Sequence, residues 1–206
     1  MLEAKKIGEQ AIKKYILEDL EKELEHGILV SNLSAMTARE LGECEEYCKE
    51  MAVAGFVHDI GKLKLSRYLY GRKKDTLKID ELNYIRQHTK ISYEIVRKEG
   101  YSITIQDTVL HHHENYDGSG YPDNLVADMI PLGARIIRIC DLFAALTADR
   151  SYRGAFSADT AMEIMIDEVK NFDMRIFLAF QRVIHGEIFE KMTQENQNDL
   201  LKINII

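Results

Sequence analysis

The spacing of apolar residues restricts this chain of 206 residues to helical folds. Apolar side chains recur mostly at intervals of three and four residues, and only two prolines and twelve glycines interrupt them. This periodicity places the apolar side chains on one face of an α-helix, whereas half-buried strands require alternation. At this length the chain can bury one sizeable core. We therefore predict an all-α domain.

Stop and cap residues predict where the first helices lie. An amphipathic helix is predicted over residues 2–25, and it is expected to pack on the rest of the protein or on a partner. A second apolar stretch begins near Leu29 and ends at Gly42, because glycine readily adopts the left-handed conformation that terminates helices. A third helix is predicted from about Glu45 to His58.

Cap signals predict the remaining helices. Side chains of Asp, Ser and Thr accept hydrogen bonds from the free N–H groups at a helix start, and proline fits the first turn. The predicted starts are Asp80, Thr104, Pro131 and either Ser157 or Asp159. The helix that starts at Asp80 is expected to end at Gly100.

Charge, cysteine content and hydropathy exclude several classes of function. The formal net charge of -7 argues against binding to a nucleic acid polymer, which requires a basic face. Cys44, Cys48 and Cys140 are too few and too poorly spaced for a disulfide framework or a cysteine-based zinc site, and we expect them to be reduced. No apolar run is long enough to span a membrane, and the first residues do not resemble a signal peptide. A cytoplasmic protein is therefore expected.

Several histidines are predicted to face the core. His88 lies on the apolar stripe of its helix, while His112 and His113 follow Val109 by three and four residues and share its face. His111 is rotated by about 100° from His112 and is expected to point outward. A single buried histidine is usually structural. Several together are more readily explained as metal ligands, because a metal ion satisfies the buried ring nitrogens.

Asp141 is a second unusual feature, because it interrupts the apolar run from residue 136 to residue 146. A carboxylate in such a run costs several kcal/mol unless it is paired or binds a cation. One interpretation is a buried salt bridge to Arg135 or Arg138. The other is a metal ligand, which is favoured if the histidines converge on the same place.

His58 and Asp59 together offer one nitrogen and two oxygen ligand atoms at the end of an apolar helix. The two oxygens of one carboxylate can bridge a pair of metal ions. The dipeptide alone carries little information. Its significance comes from the full set of candidate ligands, which is His26, His58, Asp59, His88, His112, His113 and Asp141.

Four motifs between residues 26 and 180 resemble the HD-GYP branch of the HD phosphohydrolases. They are the HDIGK sequence from His58, the HHE sequence from His112, the DGSGYP sequence from Asp117, and the segment from Ala134 to Arg153. This resemblance implies an all-α HD-domain helical bundle over residues 26–206, with residues 1–25 as an additional N-terminal amphipathic helix. That helix is a candidate surface for a homodimer or a protein partner.

The resemblance also implies an activity and assigns roles to residues. It implies a metal-dependent phosphodiesterase that hydrolyses cyclic di-GMP to linear pGpG and/or GMP, by attack of a hydroxide that bridges two metal ions, with Fe or Mn expected. The seven candidate ligands match the ligands of the family, and Asp59 would bridge the metals. Lys62 matches a lysine near the scissile phosphate. The expected substrate contacts are Lys62, Tyr121, Arg150 and Arg153.

Two details refine these expectations. Some family members carry a glutamate four residues before the upstream histidine, where it serves a third metal, but Lys22 occupies this position. We therefore expect two metals. Glu114 and Asp117 are candidates for outer partners that orient the ligating imidazoles.

Two other functions remain open at this point. An HD metal centre could act on another cyclic dinucleotide or on another nucleotide. Alternatively, the chain could be a hydrolytically silent module that binds a cyclic dinucleotide and signals to a partner protein. The presence of all seven candidate ligands argues against the second function, because a sensor has no need of a complete hydrolytic centre.

Overall fold

The computed structural model describes residues 2–65, 83–149, 153–187 and 189, with side chains from residue 20 onward. All regular structure in these residues is helical, which confirms the predicted all-α class. The helices are α1 (Leu2–Glu40), α2 (Glu45–Val57), α3 (His88–Lys98), α4 (Ile103–His111), α5 (Leu132–Thr147), α6 (Ala158–Asp167) and α7 (Met174–Ile184). Short 3₁₀ helices cover Ile60–Leu65, Ala127–Met129 and Val169–Asn171.

The first helix is longer than predicted. α1 is one helix of 39 residues, where the sequence pattern predicted two separate stretches. The helix continues through Gly27, which packs against α2. A Cβ added to Gly27 would lie 3.1 Å from the carbonyl oxygen of Phe56. The glycine therefore permits a close helix crossing and does not end the helix. The division of the chain at residue 25 into a helix and a domain stays a prediction.

One predicted helix start is shifted and one is not tested. α3 begins at His88, with Gln87 as its N-cap, whereas the predicted start at Asp80 lies outside the described residues. α4 is capped by Ser102, whose hydroxyl accepts a hydrogen bond from the backbone N–H of Ile105 at 3.3 Å. The prediction of a capping box that begins at Thr104 was therefore wrong by two residues.

The other predicted boundaries are confirmed. α2 starts and ends as expected, and Gly42 and Gly100 follow their helices with φ of 86° and 79°. α5 begins directly after Pro131. α6 begins after Ser157, whose hydroxyl accepts from the backbone N–H of Thr160.

The core lies between α1, α2, α5 and α7, with α5 at its centre. Leu33, Met51, Ile137 and Phe180 are fully buried, and the ring of Phe143 lies edge-on to that of Phe180 at 5.3 Å. Burial of each such side chain stabilises the fold by about 1.5–3 kcal/mol. The ligand-bearing segments are therefore attached to a rigid helical frame.

Two glycines let these segments approach closely. A Cβ on Gly61 would lie 2.4 Å from the carbonyl oxygen of His88, and the N–H of Gly61 donates to the hydroxyl of Ser92 at 2.8 Å. A Cβ on Gly133 would lie 2.2 Å from the hydroxyl oxygen of Thr108. The first contact joins the 3₁₀ helix after α2 to α3, and the second joins α5 to α4.

The cysteines and the hydropathy of the helices bear on two classes of protein that the sequence excluded, disulfide-rich proteins and membrane-spanning proteins. Cys44 is exposed, Cys48 and Cys140 are buried, and all three are free thiols, as expected. Across the residues that the structure describes, none of the helices is long and apolar enough to cross a membrane.

Candidate metal centre

All seven candidate ligands meet at one place in the fold. They form two groups that share Asp59, and within each group the candidate ligand atoms lie within 4.8 Å of one another. We name the first the α3–α4 group; it consists of Asp59, His88, His112 and His113. We name the second the α1–α5 group; it consists of His26, His58, Asp59 and Asp141. The convergence that the sequence predicted is thus present.

Helix ends position most of these side chains. His58 is the C-cap of α2, His88 is the first residue of α3, and His112 is the C-cap of α4. Only His26 and Asp141 project from the middle of a helix, from α1 and α5 respectively. The centre therefore lies where the ends of α2, α3 and α4 meet the sides of α1 and α5.

Backbone carbonyl groups orient three of the imidazoles. The Nδ1 atoms of His58, His88 and His112 each lie 2.7 Å from the carbonyl oxygen three residues earlier in the chain. An Nδ1–H that donates to a carbonyl leaves Nε2 as the atom with a free lone pair. In all three residues Nε2 faces the centre, as a metal ligand requires.

These carbonyl contacts correct the expected roles of two carboxylates. Glu114 does not orient an imidazole; it accepts hydrogen bonds from the backbone N–H groups of Asp123 and Leu125 at 2.7 and 3.2 Å. Asp117 accepts from the backbone N–H and the hydroxyl of Ser119. Both carboxylates therefore shape the loop that follows α4. The sequence contains no signal for a carbonyl partner, because every residue has a carbonyl group.

Asp59 lies between the two groups with one oxygen toward each. Its Oδ1 is 3.1 Å from Nε2 of His88, and its Oδ2 is 3.2 Å from Nε2 of His58. Asp141 closes the other side, with Oδ1 at 3.1 Å from Nε2 of His26 and 3.7 Å from Nε2 of His58. This geometry suits a carboxylate that bridges two cations.

The alternative interpretation of Asp141 as a salt-bridge partner is wrong. Arg135 pairs with Asp128 and Asp173, each at 2.7 Å, and Arg138 donates to the side-chain oxygen of Asn115. Both guanidinium groups are thus engaged elsewhere. Asp141 faces imidazoles, as the metal-ligand interpretation expects.

Unsatisfied polar atoms indicate that the residues fit a metal. Among the described residues, both ring nitrogens of His26, Nε2 of His58 and Oδ1 of Asp59 are buried without a hydrogen-bond partner. Their short approaches to other ligand atoms are not aligned as hydrogen bonds. Buried polar atoms without partners are rare in proteins, because each costs free energy. Divalent cations accept this set of imidazole and carboxylate ligands and would satisfy three of these four atoms, because only one ring nitrogen of His26 can face the centre.

Burial and mutual charge shift the pKa values of the ligands in opposite directions. Burial raises the pKa of a carboxyl, but Lys62 and His58 outweigh this effect at Asp59 and hold its pKa well below the usual range. Burial lowers the pKa of an imidazole, but Asp59 and Asp141 raise that of His58 to about 10. Burial and the neighbouring imidazoles keep the pKa of His112 far below its usual value. His112 is therefore neutral, as a metal ligand has to be, whereas the raised pKa of His58 favours its protonated form when no metal is bound.

Lys62 and Tyr121 stand beside these ligands. The ammonium group of Lys62 donates to Oδ2 of Asp59. The ring of Tyr121 stacks on His113 at 4.8 Å, and the guanidinium of Arg86 lies 5.0 Å from the centre of the same ring. Sequence reasoning did not select Arg86, because its helical stripe and the recognised motifs do not include it. The structure thus adds a second cation at the edge of the centre.

The two arginines predicted to contact substrate, Arg150 and Arg153, are not seen beside the candidate ligands among the described residues. Arg153 donates to the carbonyl oxygens of Ala145 and Leu146 at the end of α5, and its guanidinium lies 4.1 Å from the centre of the Phe156 ring. These contacts cap α5 and leave the guanidinium engaged with backbone. Arg150 lies outside the described residues. A substrate contact by either arginine stays a prediction.

Two further predictions concern side chains near the edge of the candidate metal centre. His111 lies outside both ligand groups, but its side chain is only 13% exposed, so the prediction that it points outward to solvent was wrong; its Nε2 lies 3.1 Å from a carboxylate oxygen of Asp123. Lys22 is exposed, and the next residue, Glu23, lies with His26 on the wall of a cavity beside the centre.

Comparison with protein families gives one match over most of the chain, to the family described as HD domain, over residues 10–176. A cyclic di-GMP phosphodiesterase response regulator, RpfG of Xanthomonas campestris, is 37% identical over 135 residues, which are 65% of this chain and 35% of that protein. A 3'3'-cGAMP-specific phosphodiesterase of Vibrio cholerae is 37% identical and covers 74% of this chain and 36% of its own length. The chain thus spans little more than a third of the length of these relatives.

Solved structures agree on the fold. Bd1817, an HD-GYP-type protein of Bdellovibrio bacteriovorus, matches with a TM-score of 0.63 at 19% identity, over 80% of this chain and 53% of that one. The HD domain of the Listeria monocytogenes phosphodiesterase PgpH, in complex with cyclic di-AMP, matches with a TM-score of 0.59 at 20% identity, over 85% of this chain and 94% of that one. The family model and the named relatives confirm the resemblance that the motifs indicated. The chain belongs to the HD domain family.

Proposed function

We propose that this chain is a metal-dependent phosphodiesterase of the HD-GYP type that hydrolyses cyclic di-GMP to linear pGpG and/or GMP. The observation that carries the proposal is the pair of ligand groups that share Asp59, with Lys62 beside them. Relatives named as cyclic di-GMP and 3'3'-cGAMP phosphodiesterases support it. Both substrates contain a phosphodiester between nucleosides, so one centre suits either.

Two divalent ions, Fe or Mn, are the proposed cofactors. The α3–α4 group would hold one ion and the α1–α5 group the other, with Asp59 as the shared ligand. When bound, such a pair activates a water molecule and holds phosphate oxygens. The neutral imidazoles of His112 and His113 suit this role, since burial keeps the pKa of His113 near 3 and no proton has to leave it at neutral pH.

The side chains around the ligands supply the remaining functions. Lys62 keeps its charge, because the carboxylates near it outweigh burial and raise its pKa. An ammonium ion next to the centre would neutralise the charge that develops on the phosphate. Burial raises the pKa of Tyr121, so its phenol stays neutral and forms an uncharged wall over His113.

The direct test is turnover under anaerobic conditions by protein loaded with Fe(II) or Mn(II). The substrates are cyclic di-GMP, 3'3'-cGAMP and cyclic di-AMP, and products are identified by mass spectrometry. Lys62→Met removes the ammonium group with little change in side-chain length. We expect it to keep its metals and to lose about 100-fold in kcat, as is typical when a group that stabilises transition-state charge is removed.

The outcomes separate the three open functions. Turnover of cyclic di-GMP that depends on Lys62 supports the proposal. Hydrolysis of a different nucleotide alone would assign another HD phosphohydrolase activity. Binding of cyclic di-GMP without hydrolysis by fully loaded protein would assign the signalling module. A homodimer or partner complex through residues 1–25 and a cytoplasmic location stay predictions, and sedimentation velocity of the full chain tests the dimer.

A further inference from the structure

A cavity opens beside the α1–α5 group and extends beyond the candidate ligands. Its volume is about 140 Å³. His26, His58, Asp59 and Lys62 form its inner end. Its remaining wall is mostly apolar and consists of Leu20, Leu24, Gly27, Phe56, Val57, Ile60 and Leu63, with Glu23 as the other charged member.

The apolar wall is unusually exposed. The residues Leu24, Phe56 and Leu63 expose 52%, 46% and 45% of their surface, although all three come from elements packed on the core. The ring of Phe56 offers a flat aromatic surface next to the centre. Aromatic and aliphatic surfaces of this kind bind nucleobases by stacking, and this interaction tolerates any base.

Glu23 adds the chemical specificity that stacking lacks. It lies one helical turn before His26 on α1, and its negative charge is one of the causes that raise the pKa of Lys62. Among the described residues, no hydrogen bond or ion pair engages its carboxylate. A carboxylate in an apolar cavity without a partner is free to accept hydrogen bonds from a ligand.

We propose that this cavity binds a guanine base of the substrate, with the base against Phe56 and its Watson–Crick edge against Glu23. The proposal rests on the proposed function, because the phosphate must bind at the adjacent centre. The Watson–Crick edge of guanine presents two neighbouring N–H donors, N1–H and N2–H, which match the two oxygens of one carboxylate. Adenine presents a ring-nitrogen acceptor at the corresponding position, which a carboxylate repels. Glu23 therefore selects guanine over adenine.

The competing role for Glu23 is a ligand of an additional cation. The groups of potential metal ligands found among the described residues do not include Glu23, although they include its neighbour on the same face, His26. Apart from Asp59 at the inner end, the side chains of the wall supply no further oxygen donors. The chemistry of the cavity therefore fits an organic base better than a hydrated ion.

Binding of GMP and AMP to the metal-loaded full chain tests the inference without relying on turnover. Isothermal titration calorimetry gives Kd for both nucleotides with the original chain, with Glu23→Gln and with the control Glu21→Gln. Glu21 is an exposed glutamate on the same helix, two residues away and on a different face. Metal content is measured for every sample by mass spectrometry.

We expect Glu23→Gln to weaken GMP binding about tenfold or more, as for the loss of a two-point contact to a base, and to change AMP binding by less than about twofold. Glu21→Gln is expected to change neither. Phe56→Ala is expected to weaken both nucleotides about tenfold, because stacking is shared by both bases.

Three results would overturn the inference. These are an equal effect of Glu23→Gln on GMP and AMP, no effect on either, or a lower metal content in the variant, which would make Glu23 a metal ligand. None of these results bears on whether the original chain hydrolyses cyclic di-GMP. Conversely, absence of turnover with intact discrimination between GMP and AMP would refute the proposed function and leave the guanine site in place.

Discussion

Replacement of Asp59 by asparagine removes one charge from the centre and changes almost nothing in shape. Asp59 is the only side chain that belongs to both ligand groups found among the described residues, and its two oxygens lie 3.1 and 3.2 Å from imidazoles of different groups. The amide of asparagine keeps one oxygen and replaces the other with an N–H donor that cannot bind a cation. One group loses a ligand outright, and the other keeps a weaker, neutral one.

The expected loss of function is large. Loss of an outer partner of a metal ligand typically lowers metal affinity or activity by about 10–100-fold. Loss of a ligand shared by two ions should exceed that range. We expect Asp59→Asn to hold at most one metal per chain and to lose turnover of cyclic di-GMP by more than about 100-fold.

Without metal, the Asp59→Asn variant should also be less stable than the original chain. Without metal, Asp59 lies against the protonated imidazole of His58 and the ammonium of Lys62, and removal of one partner from a buried ion pair costs about 3–5 kcal/mol. We expect the lower value, because Asp141 also faces His58. For a chain of this size a loss of about 3 kcal/mol lowers Tm by about 6–12 °C.

Metal analysis, turnover and thermal unfolding with and without chelator test these three effects together. Asp128→Asn is a matched control, since the side chain of Asp128 is 85% exposed and Arg135 keeps its second partner. The control should match the original chain in metal content and turnover. Two bound metals and unchanged turnover in Asp59→Asn would refute the assignment of Asp59 as the shared ligand.

Four other measurements probe the centre and its frame. Metal loading at pH 7–9 should release about one proton per chain from His58, whose pKa near 10 exceeds its usual value, as measured by calorimetry in buffers of different ionisation enthalpy. The raised pKa of His58 also makes the stability of the metal-free protein depend on pH. The contribution of His58 to stability is fully present below its ordinary pKa and is lost as pH rises through about 10. A free energy of urea unfolding that stays constant over this range would contradict this expectation. Gly61→Ala should cost about 1–3 kcal/mol in urea unfolding, because the added Cβ would lie 2.4 Å from the carbonyl oxygen of His88; an unchanged midpoint would show that the contact relaxes freely. Glu114→Ala should lower stability by about 1–3 kcal/mol and increase amide exchange at Asp123, whose N–H loses its acceptor, and protection equal to that of the original chain would exclude this anchoring role.

The sequence predicted the helical class and selected candidate ligands that the structure brings together, for separate reasons. Apolar periodicity alone indicated helices, and it also placed His88 and His112 toward the core. His26 was selected as a member of the candidate ligand set and by the resemblance to a family, because nothing in its local pattern distinguishes it from other residues of α1. Convergence of residues so distant in the chain depends on tertiary packing, which periodicity does not specify.

The errors arose where a local signal competed with packing. The predicted end of the first helix at residue 25 was wrong, because Gly27 permits α1 to cross α2 closely and the helix continues. Thr104 begins an apparent capping box, but the hydroxyl of Ser102 reaches the free N–H groups first. Glu114 resembled an outer partner of the metals, whereas it binds backbone N–H groups of its own loop. In each case the residue type indicated a structural role, but the sequence did not identify the group that the residue contacts.

The position of the ligands at helix ends has a consequence for the chain as a polymer. When metal is bound, residues from 26 to 141 are joined at one point, so the ions close several long loops, as a set of disulfides would. Closure of loops restricts the unfolded chain, and the binding free energy of the ions becomes part of the free energy of folding. Metal supply would then govern the lifetime of the folded protein as well as its chemistry, and a metal-starved cell would lose the protein itself to proteolysis.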